Sequence, residues 1–302
     1  MKLPQMRHWF GFEAAPKLAG AHPRAIVPAR SSAALRMEPV SELAEDCPWP
    51  LERMEMVDAL WGEGFQFPGG ETETMRLVKP LGLSAATSLL VLGAGSGGPP
   101  CCIAGDLGVW VTGYESDQNL LNAATDRSLR AGLSRRAQIA SWDPEVPSFE
   151  RGFFHHGLAL EPLRDAAVEP TLSALAQALK PGGHLVLLET VADTPLDPDD
   201  ALVAAWQRLD GRRLDRLPAE VTITRALGRL GFDVRIVEDV SHRHMQQSVT
   251  GWREAVRGME QAKPNHREAA QLLKEAELWM LRIRLFRSHA LRLVRWHAIG
   301  TL

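Results

Sequence analysis

The stretch LLVLGAGSGGPP, Leu89–Pro100, decides how the rest of the chain is read. A short apolar run ends in glycines at 93, 95 and 97, and prolines follow at 99 and 100. An apolar run bounded by glycine reads as a strand, and proline suits the first turn of a helix, where its missing N–H has no partner to lose. The reading is strand, glycine turn, helix. Glycines let backbone approach a ligand and a helix start offers unpaired N–H groups, so the turn is a candidate cofactor site; a tight turn that binds nothing is the simpler alternative.

Working outward, apolar segments of strand length alternate with amphipathic segments of helix length. The strands are SLLVLG, VWVTGYE, AQIASW, GFFHHGLAL, GHLVLLET, FDVRIVED and LRLVRWHAIG. Between them lie helix candidates such as PPCCIAGDLG, DQNLLNAATDRSLRAG and the long NHREAAQLLKEAELWMLRIRLFRSHA. This alternation predicts an α/β, Rossmann-like doubly wound sheet of seven strands, covered by helices. Residues 1–37 read as a mobile arm that could dock on a protein partner, and 38–87 as a helical cap. Residues 88–302 read as the main domain, with a cap insertion at about 192–217.

Composition narrows the function. The net charge of −3, from 34 Lys+Arg against 37 Asp+Glu, gives no basic footprint for nucleic acid. No run approaches the roughly 18 apolar residues of a membrane span, and the amino-terminal stretch lacks the apolar segment of a secretory signal. Cys47, Cys101 and Cys102 form neither a disulfide framework nor a zinc site, so a reducing compartment, the cytoplasm, is expected.

The second strand ends in GYESDQN, which puts Glu115 about 20 residues past the turn, where an acid can accept hydrogen bonds from ribose hydroxyls. Asp117 is placed to cap the next helix. With these residues in view, LLVLGAGSGG, VTGYESDQNLLNAA and ALKPGGHLVLLE resemble the cofactor core of the class I S-adenosylmethionine-dependent methyltransferases, over about Trp61 to Leu302. LWGEGFQFPGGETETMRLVKPLGL is similar to a segment of small-molecule methyltransferases that include the phosphoethanolamine and sterol types. The resemblance implies that the last two strands form an antiparallel hairpin and that S-adenosylmethionine is the cofactor. It places Gly93, Ala94, Gly95 and Gly97 beside the methionine part, with Gln66 and Gly69 near that end. Glu115 and Ser116 fall at the ribose, and Trp142 and Asp143 at the adenine.

The departures are equally specific. Val91 stands where the family carries an acid that anchors the methionyl end, Arg151-Gly152 where it carries Phe-Asp, and Val57 near an expected tyrosine. Aligned on LEPLRD, Leu158 and Pro162 stand where phosphoethanolamine-type relatives carry Asp and His. The candidates for acceptor chemistry are His155 and His156 on the fourth strand, and His244 after the sixth, in a stretch expected to be a solvated loop. No metal set is expected, and the basic run from Arg282 to Arg295 reads as the outer face of a helix and strand. The function expected is methyl transfer to a small-molecule acceptor. The alternatives are a degenerate methyltransferase-like protein serving as a regulatory or scaffolding subunit, and a nucleotide such as NAD on the same scaffold.

Overall fold

Strand β1 (Ser88–Leu92) carries four consecutive fully buried residues, Leu89 to Leu92. A strand apolar on both sides belongs inside a sheet covered on both faces. In this computed structural model, which describes residues 48–259 and 265–301, β1 is flanked on each side by a parallel strand. The residues assigned above to the arm, the first part of the cap and Cys47 lie outside the described ones.

Along the chain, α1 (Leu51–Trp61) and α2 (Gly70–Val78) precede β1. Then come α3 (Gly98–Leu107), β2 (Trp110–Glu115), α4 (Gln118–Arg130), β3 (Ala137–Ser141) and β4 (Phe154–Leu160). They are followed by α5 (Val168–Ala178), β5 (Leu179–Val191), α6 (Ala201–Asp210) and α7 (Glu220–Arg229). The chain ends with β6 (Phe232–Asp239), α8 (Ser241–Met259), α9 (His266–Arg287) and β7 (Arg292–Gly300).

The sheet order is β3-β2-β1-β4-β5-β7-β6, with β7 antiparallel to both its neighbours, so the expected seven strands and closing hairpin are present. Alternation along the strands divides the core. Leu89, Val91, Leu158 and Val186 face α3, α6 and α9, while Leu90, Leu92, Leu185 and Leu187 face α5 and α7. Val91 is therefore a core residue and offers no polar group to a ligand.

Because the chain winds outward from β1 to β3 and then returns to β4 on the other side, the order reverses between β1 and β4. Ligands of open α/β sheets bind at the carboxyl ends beside such a reversal. Helices α1, α2, α8 and α9 gather at this end. Trp61 meets Trp279 edge-on at 4.9 Å, Arg53 Nε donates to Glu275 at 3.1 Å, and Gln247 Nε2 donates to Glu73 at 3.0 Å. The stretch around His244, expected to be a loop, is instead the first turns of α8. Asp239 accepts from the Ser241 N–H at 2.9 Å just before it, and Met245, Ser248, Trp252 and Val256 recur at helical spacing. Arg282 is also not on an outer face, being 8 % exposed. No helix among the described residues is long and apolar enough to cross a membrane.

Candidate cofactor and acceptor site

The turn after β1 is built from left-handed glycines, with φ of 81° at Gly93, 58° at Gly95 and 93° at Gly97. Side chains are also sterically barred there, since a Cβ on Gly93 would overlap the Leu160 carbonyl and one on Gly95 the Gln66 side chain. Every N–H of the turn is paired. Gly93 and Ala94 donate to Tyr114 O, Gly95 to Glu115 Oε2 at 2.8 Å, Ser96 to Gln66 Oε1 at 3.1 Å, Gly97 to Ala94 O and Gly98 to Gly64 O at 2.9 Å. A turn that grips a phosphate needs free N–H groups. This one has spent them on the protein, which removes the basis for a dinucleotide and leaves close approach to an uncharged segment as its use.

Glu115 ends β2 beside the turn, buried, and its two oxygens accept from the N–H groups of Gly95, Ser116 and Asp117 at 2.8, 2.9 and 3.1 Å. Burial lifts its carboxyl above the ordinary range while those three bonds act in the opposite sense. Asp117 caps α4, accepting from Asn119 and Leu120. One strand over, β3 stops at Ser141, paired with Glu115, so Trp142 and Asp143 follow at the same end of the sheet. Trp142 leans on Phe149 with centroids 6.1 Å apart, and the exposed Asp143 accepts from the Glu145 N–H at 2.9 Å. Gly93, Ala94, Gly95, Gly97, Glu115, Ser116, Trp142 and Asp143 are thus brought to one edge of the sheet.

Across the reversal, Glu161 is the first residue after β4, and its φ of 45° is one of two positive values among described non-glycine residues. Its carboxylate takes the guanidinium groups of both Arg212 and Arg282, and the Thr190 hydroxyl at 3.2 Å. Arg212, 2 % exposed, also donates to the fully buried Glu189 at 2.8 Å, and Glu189 accepts from the Leu163 N–H at 2.8 Å. Burial alone would raise the Glu161 carboxyl, but Arg282 and Arg212 outweigh it and hold it well below the usual range. Sequence reading missed this group. The signal available was position, since Glu161 closes the fourth strand at the reversal, whereas the LEPLRD alignment drew attention to Leu158, a core residue, and Pro162.

The histidine candidates separate. His155 and His156 lie at the amino end of β4, opposite the crevice. His155 Nδ1 meets Ser88 Oγ at 2.9 Å and Nε2 meets Lys180 Nζ at 3.0 Å, while His156 Nδ1 accepts from the His184 N–H at 3.1 Å. Alternation along a strand sets the face but not the end, and both residues come too early in β4 to reach its carboxyl edge. His244 is at the carboxyl side but buried, between Trp279 and Phe286 at centroid distances of 5.5 and 5.7 Å, and its Nε2 has no hydrogen-bond partner. Among the described residues no cluster of three or more His, Cys, Asp or Glu is arranged to hold a metal ion.

Burial lowers His156 from 6.5 to about 4, with His184 and His155 adding to the effect, and lowers His244 to about 3, with Arg282 adding. Both are neutral in the folded chain where the unfolded chain would be protonated, so their contribution is complete above 6.5 and is lost as pH falls toward 4 and below. The thermal midpoint should therefore drop by several degrees between pH 7 and 4.5, each kcal/mol being worth about 2–4 °C at this size. His156→Gln should flatten the drop in a melting series across that range, and an unchanged slope would remove His156 from the account.

No protein-family profile matches the chain. Phosphoethanolamine N-methyltransferase 2 of Caenorhabditis elegans is 28% identical over 130 residues, covering 42% of this chain and 30% of the relative. The Haemonchus contortus phosphoethanolamine N-methyltransferase 2, solved with phosphomonomethylethanolamine and S-adenosylhomocysteine, superposes with a TM-score of 0.71 at 19% identity, covering 82% of this chain and 57% of that one. A sarcosine dimethylglycine methyltransferase of Galdieria sulphuraria, so described as a putative one, gives a TM-score of 0.65 at 12% identity, covering 83% and 99%. The chain spans about half the length, or less, of the first two relatives.

Proposed function

We propose that this chain, which has the fold of the class I S-adenosylmethionine-dependent methyltransferases, binds S-adenosylmethionine and transfers its methyl group to a small-molecule acceptor. The observation that carries the reading is the pairing of every N–H in the glycine turn beside the buried Glu115 carboxylate. That arrangement offers no free donor to a phosphate and suits an adenosyl group whose remaining chain carries none. The residues fit: Gly93, Ala94, Gly95 and Gly97 would let the cofactor lie against backbone, Glu115 and Ser116 would meet the ribose, and Trp142 and Asp143 would flank the adenine. The bound cofactor supplies an electrophilic methyl group.

The acceptor is proposed to enter across the reversal, over Glu161 and under α1, α2 and the insertion that carries α6. Glu161 is held ionised by its arginines, and His244 stays neutral to about pH 3, so each is a weak base. A weak base is a poor proton acceptor at neutral pH. The chain's contribution is then to position the acceptor and exclude water, which suffices for one already nucleophilic without losing a proton. In this reading His244 packs in the cap between Trp279 and Phe286, and His155 and His156 have no part in the chemistry. A cytoplasmic location belongs to the same proposal, supported by the free thiols of Cys101 and Cys102.

Titration of the ligand-free chain with S-adenosylmethionine in a calorimeter should give saturable one-site binding in the micromolar range, about −8 kcal/mol, with competition by S-adenosylhomocysteine. No heat and no competition would overturn the proposal.

A further inference from the structure

The carboxyl edge of the sheet holds the crevice, and the amino edge carries a different set of side chains. Trp110 opens β2 and Phe153 precedes β4, and they are 49% and 46% exposed. Sheet register makes them members of one row. Ser88, the first residue of β1, pairs with Trp110 on one side, and its Oγ donates to Phe153 O at 3.1 Å on the other. Only β1 lies between them, so their backbones stand about 10 Å apart, two strand spacings.

Cations flank both rings. Val111 N donates to Arg136 O at 2.7 Å, which ties the start of β3 to β2, and the Arg136 guanidinium lies 5.3 Å from the centre of the Trp110 ring. At the other end of the row Arg151 precedes Phe153 by two residues, and Lys180 Nζ meets His155 Nε2 at 3.0 Å. Arg135, Arg136 and Arg151 are exposed, and among the described residues none of them forms an ion pair. These arginines and Lys180 outnumber the acids of the same edge, Asp106 at the end of α3 and Glu150, although the chain's net charge is −3.

A stable protein interface needs a contiguous apolar core, and here the polar Ser88 lies between the two rings. A bilayer surface makes no such demand. Each ring can enter the headgroup layer by itself, a level at which tryptophan is enriched, while the cations stay beside the lipid phosphates. We propose that the amino edge of the sheet, through Trp110, Phe153, Arg136 and Arg151, docks the protein on an anionic lipid surface. The crevice lies at the opposite edge, so docking leaves it facing away from the lipid and open to ligands.

The test is co-sedimentation of the full chain with vesicles of phosphatidylcholine alone and of phosphatidylcholine with about 30% phosphatidylserine. Binding is expected only to the second, and about 0.5 M salt should screen most of it away. Arg136→Glu with Arg151→Glu should weaken binding by more than about tenfold, since each basic group near such a surface is worth about fivefold. Arg284→Glu with Arg287→Glu makes the same change of net charge at exposed positions of α9, near the carboxyl edge, and should leave binding within about twofold. Trp110→Ser with Phe153→Ser keeps every charge and should weaken binding by about tenfold. Equal loss in the two arginine pairs would mean that net charge alone attracts the chain, and would overturn the proposal. So would no binding by the wild type; if it then bound single-stranded DNA, the rings and cations would belong to a nucleic-acid surface instead.

Discussion

Arg212→Met is expected to destabilise the fold by about 3–5 kcal/mol, the usual cost of removing one partner from a buried ion pair. Arg212 is 2 % exposed and joins Glu161 to Glu189, which is 0 % exposed. Without it Glu189 keeps the N–H groups of Leu163 and Thr190 but faces Glu161 with one fewer cation between them. A second change, Glu189→Leu, removes the stranded carboxylate and should recover part of the loss, the remainder being the Leu163 and Thr190 N–H groups that it leaves unpaired. Denaturant unfolding of the wild type, both single variants and the double variant measures the coupling. A loss under about 1 kcal/mol for Arg212→Met would place the pair with ordinary solvated ones, and the acceptor side of the crevice would then lack the buried charge described here.

How this network escaped sequence reading shows where such reading stops. Glu161 is 51 residues from Arg212 and 121 from Arg282, and Glu189 is 23 from Arg212. No local period links them, and they meet only because β4 and β5 end side by side beneath α9 and the insertion. Arg282 sat in a basic run, and only the direction in which α9 packs separates it from the exposed Arg284 and Arg287. By contrast, β1 was legible because four buried positions are consecutive, the Asp117 cap because its partners are two and three residues away, and Glu115 because strand, turn and helix fix the spacing between the ends of β1 and β2. Local rules found what is locally determined. His155 and His156 failed on a different point, since their periodicity was compatible with the crevice face while their place along β4 was at the wrong end. The α8 helix was missed because its first turn, SHRHM, is polar at four of five positions and hides an apolar spacing that starts only at Met245.

Glu115→Ala is the second large effect, and it should be felt twice. The Glu115 oxygens accept three backbone N–H bonds, so the apo chain itself should lose stability, by about 1–3 kcal/mol for each buried donor left unpaired. The geometry thus makes Glu115 part of the turn itself. It also bears on how ribose is held. Two carboxylate oxygens offer about four acceptor positions, and three are taken, so one hydroxyl can be received directly, while a second must displace an N–H, of which that of Asp117 has the longest bond at 3.1 Å. Glu115→Gln separates the roles. It keeps one oxygen for the turn but turns an N–H₂ toward donors on the other side, and should cost S-adenosylhomocysteine about 10- to 100-fold in affinity, the value of a hydrogen bond to a charged group, with a smaller fall in apo stability than alanine. Paired measurements of melting midpoint without ligand and of dissociation constant decide between outcomes. Affinity lost in step with stability across Glu115→Ala and Glu115→Gln would make Glu115 a structural residue of the turn, whereas affinity lost in excess of stability in the glutamine variant would mark its carboxylate as a group that the ribose contacts.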